Sequence, residues 1–204
     1  MHDKDGHPDA TLIVGPAWVG DMVMAQALFA LLRQAAPDTA IDVVAPAWSE
    51  PLLARMPEVR STVMLPLGHG QFGFMPRYRI GRGLRARRYG HAIVIPRSLK
   101  SAFVPFFAGI PRRTGFRGEM RYGLLNDVRE LDRTRLDQTV KRFISLGLPA
   151  NAELPHPPAP KLPIDVPNRD RPRARLGSYD SPLVAVMPGA AYGPAKCWPI
   201  DYSG

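Results

Sequence analysis

A carboxylate at Asp21 is the first side chain whose position suggests chemistry. It ends the loop Gly15 to Asp21, which follows an apolar segment, TLIV, and precedes a helical pattern that begins near Val23. The apolar segment is predicted to be a buried strand, and in open α/β sheets ligands bind at the carboxyl ends of the strands. The simplest structural role for Asp21 is a helix N-cap, because its oxygen accepts an orphan backbone N–H. A capping role and a role as a catalytic base both stay open, since one carboxylate can do both.

Known phosphate-binding motifs do not fit this loop. Gly15 and Gly20 have the spacing of a P-loop, but Asp21 and Met22 stand where that motif needs lysine and a hydroxyl residue. The dinucleotide-binding fingerprint fails as well, because Ala17 replaces its second glycine. The loop is therefore predicted to present one carboxylate at a helix start rather than to cradle a nucleotide.

Longer motifs carry a family resemblance. The segments are GPAWVGDMVMAQALF, IDVVAPAWSEPLLARMPEV, LPLGHG, PRSLKSAFVPFFAGIPRRTGFRGEMRYGLLND and PGAAYGPAKCWP, in this order between Leu12 and Pro199. With them the chain closely resembles the lipopolysaccharide heptosyltransferase II group of glycosyltransferase family 9. The resemblance implies a GT-B fold, in which an N-terminal domain binds the acceptor and a C-terminal domain binds the nucleotide sugar. It also implies inverting transfer of heptose from ADP-heptose to the first heptose of the lipopolysaccharide inner core, heptosyl-Kdo2-lipid A.

The same resemblance implies roles for single residues. Asp21 matches the family's catalytic aspartate in a G-D motif with Gly20, and would take the proton of the acceptor hydroxyl. Lys196 matches the lysine before a tryptophan-proline pair and would offset charge on the departing diphosphate. Without that motif, Lys196 would be interpreted as a solvated loop residue. Predicted donor-binding residues in the same loop are Gly189, Ala190 and Tyr192, through backbone N–H groups.

Two groups of arginines suggest anionic ligands. Guanidinium groups match carboxylates and phosphates bidentately, and the inner core offers both. The predicted acceptor-binding residues are Gly20, Lys100, Arg112, Arg113, Arg117 and Arg121, the four arginines in a loop-like stretch, RRTGFRGEMRYG. Six further arginines between positions 77 and 88 are spread around a predicted helix, which favours a solvated basic surface near lipid head groups. Arg97 departs from the family pattern, which has asparagine there.

Composition narrows the function classes. The chain has 204 residues, 45% hydrophobic and 22% charged, as is typical of globular domains, with a net charge of +9 that favours an anionic partner. A basic nucleic-acid-binding module is a rival, but the order of strands and helices resembles no common module of that kind, so no nucleic acid is expected. The five histidines lack ligand spacing, so neither a metal nor a cofactor is expected.

Targeting signals are not apparent in the sequence. Residues 1–10 lack an apolar leader, no apolar run reaches about 18 residues, and the lone Cys197 allows no internal disulfide. These features are consistent with a reducing compartment. The resemblance implies a cytoplasmic protein attached peripherally to the inner leaflet of the inner membrane, where the acceptor would be made.

Alternating strand and helix patterns predict an α/β, doubly wound N-terminal domain. The predicted organisation is a polar tail at 1–10, a Rossmann-like acceptor domain at 11–148, a proline-rich linker at 149–172 and the start of a nucleotide-sugar domain at 173–204. The segment from Ala102 to Ile110 is predicted to be a buried helix kinked at Pro105, with a membrane-touching surface as the alternative. Two alternatives for the function are a non-catalytic remnant that only binds acceptor, and heptosyltransferase I type transfer to Kdo.

Overall fold

Six strands pair into one parallel sheet in the part of the chain that the structure, a computed structural model, describes. That part comprises residues 10–68, 71–176, 184, 186, 187, 189 and 194–197. The strands are β1 (Thr11–Val14), β2 (Ile41–Pro46), β3 (Val59–Leu65), β4 (His91–Val94), β5 (Arg112–Phe116) and β6 (Asp127–Arg129). Their order in the sheet is β3-β2-β1-β4-β5-β6. The central strands are short apolar runs because both faces of a parallel sheet are covered by helices.

Helices connect the strands of the first unit. They are α1 (Val19–Ala35), α2 (Glu50–Leu53), α3 (Phe74–Leu84), α4 (Phe103–Phe107) and α5 (Thr139–Leu146), with 3-10 turns at 47–49, 85–87 and 99–102. A further helix, α6 (Val166–Leu176), and a 3-10 turn at Pro194–Lys196 follow in the second unit. None of the helices within the described residues combines the length and apolar character needed to cross a bilayer.

The core lies on both faces of the sheet. Successive side chains of a strand point to opposite faces, so Ile13 and Leu12 of β1 enter different hydrophobic clusters. The cluster around Ile13 includes Leu28 and Phe29 of α1 and residues of α5. The cluster around Leu12 includes Leu84 of α3 and residues of α4. This arrangement confirms the predicted doubly wound α/β architecture.

The start of α1 differs from the prediction and changes the position of Asp21. The helix begins at Val19 rather than Val23, and Trp18, with extended backbone angles, is the N-cap residue. Asp21 therefore lies in the first turn and is not the cap, although a carboxylate there still interacts favourably with the helix dipole. Ser49 is the N-cap residue of α2, but its side chain makes no capping hydrogen bond, because its hydroxyl donates to the carbonyl of Pro46 at 2.6 Å.

Two strands, β5 and β6, and two helices, α5 and α6, were not predicted. The segment RRTGF, interpreted as loop-like, is β5, which pairs with β4 from His91 and Arg112 to Val94 and Gly115. It lacks an apolar alternation because two of its five residues are arginines, so its strand character depends on pairing with β4. By contrast, α5 carries Val140, Phe143 and Ile144 at helical spacing, a signal that was present in the sequence.

The proline-rich segment packs on the first unit over much of its length. The side-chain amide of Gln26 donates to the carbonyl of Lys161 at 2.7 Å and accepts from its N–H at 3.0 Å. Leu154 and Leu162 pack against the core. The chain divides into two compact units, Met1–Pro163 and Ile164–Gly204, so the boundary falls inside the predicted linker. The apolar run at 183–187 predicts a further buried strand; of these residues the structure describes Val184, Val186 and Met187, which are exposed and lie outside any strand.

Candidate functional site

A cavity of about 460 Å³ opens at the carboxyl ends of the central strands. The strand order reverses between β1 and β4, and such a switch point leaves a crevice in which open α/β proteins bind ligands. The lining residues are Val14, Gly15, Ala17, Trp18, Val44, Ala45, Pro46, Trp48, Leu65, Leu67, Gly68, Gln71, Arg77, Pro96, Ser98, Lys100 and Ser101. All of these residues belong to the first unit. The sequence prediction of a ligand site after the first strand therefore agrees with the position of this cavity.

Two tryptophans give the cavity aromatic walls. Trp18 follows β1 and Trp48 follows β2, and their side chains are 41% and 43% exposed. Large aromatic rings left half-exposed in a concave site are typical of ligand pockets. The sequence analysis did not select these residues, although each stands two to four positions after an apolar strand. The expectation that ligands bind at the carboxyl ends of parallel strands, which pointed to Asp21, applies equally to these two tryptophans.

Cations reach the cavity from two different elements. Arg77 of α3 is only 6% exposed, and its Nε donates to the carbonyl of Phe72 at 2.9 Å. Burial lowers the pKa of Arg77, although an arginine stays protonated under ordinary conditions. Lys100 follows β4 and donates from Nζ to the carbonyl of Gln71 at 3.1 Å. Lys100 is one of the residues predicted from the sequence, whereas Arg77 was predicted to lie on a solvated helix. The buried residues Arg77, Gly81 and Leu84 instead mark the buried face of α3.

Buried Arg121 supports the loop that follows β4. Its guanidinium group donates to the carbonyl of Pro96 at 2.6 Å, to the hydroxyl of Ser101 at 3.1 Å and to the carbonyl of Phe116. The residue is 2% exposed, and burial lowers the pKa of Arg121 to about 10. Since Pro96 and Ser101 line the cavity, Arg121 positions its wall. A ligand in the cavity would not reach the guanidinium group without displacing these bonds.

The structure separates the other predicted acceptor arginines. Arg112 and Arg113 begin β5 beside the start of β4, so they lie at the amino end of the sheet, opposite the cavity. Arg112 pairs with Asp127 at 3.1 Å, and Arg113 donates to the carbonyl of Leu124 at 2.6 Å. Arg117 follows β5 at the carboxyl edge and pairs with the exposed carboxylate of Glu130 at 2.8 Å. Of the four, only Arg117 presents an exposed guanidinium group at the cavity's edge of the sheet.

Asp127 organises the opposite edge. Hydrogen bonds from Arg129, and further ones from Thr114 and Arg112, hold the pKa of the Asp127 carboxyl well below its usual range. Thr114 also bonds to Nε2 of His91 at 2.8 Å. Burial, together with the charge of Arg112, lowers the pKa of His91 to about 4. His91 is therefore neutral near pH 7. Arg112 is held at this edge of the sheet by its ion pair with Asp127.

The remaining predicted residues lie at the ends of the site or beyond it. Asp21 is half-buried one turn along α1 from Trp18, outside the cavity lining, and Gly20 beside it is exposed. Lys196 is exposed in the second unit, and Gly189 is among the described residues, whereas Ala190 and Tyr192 lie outside them. The described residues hold no cluster of three side chains suited to a metal ion.

Comparison with known proteins shows the family of this chain. The model of glycosyltransferase family 9 (heptosyltransferase) matches residues 77–203. The chain belongs to glycosyltransferase family 9. It is 48% identical over 195 residues to lipopolysaccharide heptosyltransferase 2 of Escherichia coli K12 and 45% identical over 200 residues to lipooligosaccharide heptosyltransferase 2 of Haemophilus ducreyi. In both comparisons 92% of this chain is matched, and the chain spans 56% of the relative.

Solved structures of this family share the fold. ADP-heptose lipopolysaccharide heptosyltransferase II of Escherichia coli superposes with a TM-score of 0.81 at 43% identity, over 93% of this chain and 57% of that one. A family 9 glycosyltransferase of Veillonella parvula gives a TM-score of 0.77 over 98% of this chain and 59% of that one. Its identity of 16% supports the fold alone. The parallel sheet and these likenesses confirm the predicted α/β fold of the GT-B type.

Proposed function

We propose that this chain supplies the acceptor-binding part of an inverting heptosyltransferase of lipopolysaccharide core biosynthesis. The observation that carries the proposal is the cavity at the switch point, where two tryptophans and two cations meet. Tryptophan rings offer apolar faces to sugar rings, and Arg77 and Lys100 offer charge to phosphates or carboxylates of the acceptor. The acceptor is the first heptose of heptosyl-Kdo2-lipid A, and ADP-heptose is the donor. The names of the similar proteins support this substrate class.

The chemistry that we propose is a single displacement. Asp21 accepts the proton of the acceptor hydroxyl as its oxygen bonds to the anomeric carbon of the heptose. The bond from that carbon to the diphosphate breaks in the same step, so the configuration inverts and ADP leaves. Lys196, with backbone groups of Gly189, Ala190 and Tyr192, offsets the charge that grows on the diphosphate. No metal or cofactor takes part in this proposal.

Acceptor binding without transfer is the second candidate. It is favoured by the position of the cavity, whose lining residues all fall within Met1–Pro163. In this version residues 173–204 begin the donor domain and the chain alone holds the acceptor. Both versions place the protein on the cytoplasmic face of the inner membrane, where a lipid-linked acceptor is accessible.

The first experiment measures binding of a water-soluble, phosphorylated heptose–Kdo oligosaccharide by calorimetry. We expect saturable binding that survives competition by duplex DNA and weakens by about tenfold or more in Trp48→Ala and Lys100→Gln. Arg133→Gln is the matched control, because Arg133 is exposed in the loop after β6 and outside the cavity lining. Equal affinity in all variants, or binding that DNA abolishes, would contradict an acceptor site in this cavity.

Asp21→Asn tests the chemistry in an enzyme that joins this chain to a complete donor domain. Removing the base should lower turnover by about 10²- to 10⁴-fold. Acceptor affinity should change little, because asparagine keeps the size of the aspartate side chain and can still hydrogen-bond to a hydroxyl, but is not a base. Rates of heptose transfer and calorimetric affinities are measured on the same preparations, and wild-type turnover in the variant would exclude Asp21 as the base.

A further inference from the structure

A contiguous group of aromatic side chains covers the outer side of α3 and α4. This aromatic patch consists of Phe72, Phe74, Met75, Tyr78, Phe103, Phe106 and Phe107. Ring centroids lie 5.4 Å apart for Phe74 and Phe103, 5.0 Å for Tyr78 and Phe107, and 5.4 Å for Phe106 and Phe107. The rings hold one another edge to face, so the patch is an ordered surface of the first unit.

Much of the aromatic patch is exposed to solvent. Phe72 is 52% exposed, Phe74 44%, Met75 51% and Phe106 39%. Isolated exposed apolar residues are ordinary, but a contiguous group of this kind marks an interaction surface. A membrane-touching surface is the alternative predicted for residues 102–110, and the exposed Phe72, Phe74 and Met75 extend the exposed apolar area to the start of α3.

Exposed arginines share the face of α3 that carries the patch. Tyr78, Arg82 and Arg85 follow Phe74 at steps of three or four residues, and Arg79 follows Met75 by four. Such spacing places side chains on one side of a helix. The segment from Phe74 to Arg88 has six arginines and no carboxylate.

Four of these six arginines are exposed, and one of the four, Arg85, donates from Nε to the carbonyl of Phe107 at 2.9 Å. Arg77 is buried, and Arg87 pairs with Asp42 at 3.0 Å. The others are Arg79, Arg82, Arg85 and Arg88, all exposed. Within the part of the chain that the structure describes, none of these four forms an ion pair with a carboxylate.

The aromatic patch continues to the mouth of the cavity. Phe72 accepts a hydrogen bond through its carbonyl from Arg77, and the neighbouring Gln71 accepts one from Lys100. Gln71, Arg77 and Lys100 all line the cavity. A molecule whose apolar part rests on the patch would therefore have its polar part at the cavity.

We propose that the aromatic patch and its arginines dock the protein on the surface of an anionic lipid bilayer. Half-exposed aromatic rings enter the region between head groups and acyl chains, while arginines on the same helix face contact the anionic head groups. A protein partner with the same complementarity would need an acidic rim around an apolar groove, whereas a bilayer offers both features over its whole surface. The inference rests on the proposed function, because a lipid-linked acceptor in the same bilayer would present its sugars at the adjoining cavity.

Vesicle binding without any sugar tests the proposal. The chain is mixed with vesicles of phosphatidylglycerol and phosphatidylcholine, and with vesicles of phosphatidylcholine alone, and the bound fraction is measured by flotation. We expect binding to the anionic vesicles that falls with added salt. Arg79→Gln combined with Arg82→Gln should weaken the partition by about 25-fold, since each arginine near an anionic surface contributes roughly a fivefold factor. Phe72→Ser combined with Met75→Ser should also weaken it.

Two control variants remove an exposed arginine and an exposed methionine that lie outside the aromatic patch. Arg133→Gln removes an exposed arginine in the loop after β6, and Met120→Ser removes a methionine that is 83% exposed in the loop after β5. Both controls should bind vesicles as the wild type does. Equal binding by the patch variants, or concentration-dependent self-association through the patch in place of vesicle binding, would overturn the proposal. Binding of the soluble oligosaccharide is measured in a separate experiment. Loss of vesicle binding with unchanged oligosaccharide binding would therefore contradict the docking surface without contradicting the acceptor site.

Discussion

At the scale of single residues, Asp42 is a buried charge of the first unit that pairs with two arginines. Its side chain is fully buried in β2 and accepts hydrogen bonds from Arg60 at 2.9 and 2.6 Å, Arg87 at 3.0 Å and the hydroxyl of Tyr89 at 2.6 Å. Burial by itself would raise the pKa of Asp42, but these hydrogen bonds lower it to about 2. Burial and the neighbouring carboxylate raise the pKa of Tyr89 to about 12. The group ties β2 to β3 and to the turn after α3.

Asp42→Asn should lower the free energy of unfolding at pH 7 by about 2 to 4 kcal/mol, because it removes one charge from a buried network and leaves two arginines there. Folding lowers the pKa of Asp42 from its ordinary 3.8 to about 2, so this stabilisation is present above pH 4 and is lost as the pH falls towards 2. The difference between wild type and variant should therefore shrink in that range. Urea unfolding from pH 7 to pH 2 measures it.

The control for this experiment is Asp38→Asn, which changes an exposed carboxylate in the turn before β2. It should leave the unfolding free energy within about 0.5 kcal/mol of the wild type. A difference between wild type and Asp42→Asn that stays constant from pH 7 to pH 2 would be incompatible with an ionised Asp42 as the source of the stability.

At the scale of elements, the wall of the cavity depends on how closely the loops after β4 and β5 approach each other. The N–H of Glu119 donates to the carbonyl of Arg97 at 3.2 Å, and Leu99 N–H donates to the carboxylate of Glu119 at 2.7 Å. A Cβ atom on Gly118 would collide with the backbone carbonyl of Arg97. Together with Arg121 beneath them, these contacts set the position of Ser98 and Lys100 at the cavity.

Gly118→Ala should therefore destabilise the first unit by about 1 to 3 kcal/mol and weaken oligosaccharide binding, because one of the two loops must move. Gly83→Ala is the matched control, since a Cβ atom there meets open space within helix α3. It should raise the unfolding free energy by about 0.5 to 1 kcal/mol. Thermal unfolding and calorimetry on both variants measure these effects. Wild-type stability and affinity in Gly118→Ala would show that the loops after β4 and β5 need not lie this close together.

At the scale of the whole molecule, the described parts of the two units differ in how their helices are buried. In the first unit α1 buries Met22, Leu28 and Phe29 between the sheet and α5. In the second, the side chains of α6 at 166–171 and 174 are all exposed. Helices without a buried face depend on intrinsic propensity, which is marginal at this length.

Amide hydrogen exchange of the 204-residue chain should therefore show protection in α1 that approaches the global unfolding free energy, and rapid exchange throughout α6. Mass spectrometry of peptic fragments that cover 19–35 and 166–176 measures both in one sample. Amides of α5, which also pack on the core, are the internal reference. Comparable protection in α6 and α1 would mean that α6 has a stabilising contact beyond its own backbone.

The central strands and the position of the candidate site at their carboxyl ends were predictable because they depend on local patterns. Short apolar runs at 11–14, 41–45 and 91–95 predict buried parallel strands, and a loop after the first strand predicts a ligand site. The outer strands β5 and β6 were not predictable in the same way, because arginine and aspartate occupy much of them and their pairing partners lie elsewhere in the chain.

The sequence by itself determined the α/β class, the family and the end of the sheet where a ligand would bind. Only the tertiary structure decided which arginines leave the solvent and where they go: Arg77 to the cavity, Arg121 beneath its wall and Arg112 to a partner at the opposite edge. The physical reason is that strand and helix patterns are set by neighbours a few positions apart. The burial and pairing of a charge are set by groups that are distant in sequence, and a long arginine side chain takes whichever partner the fold brings within reach.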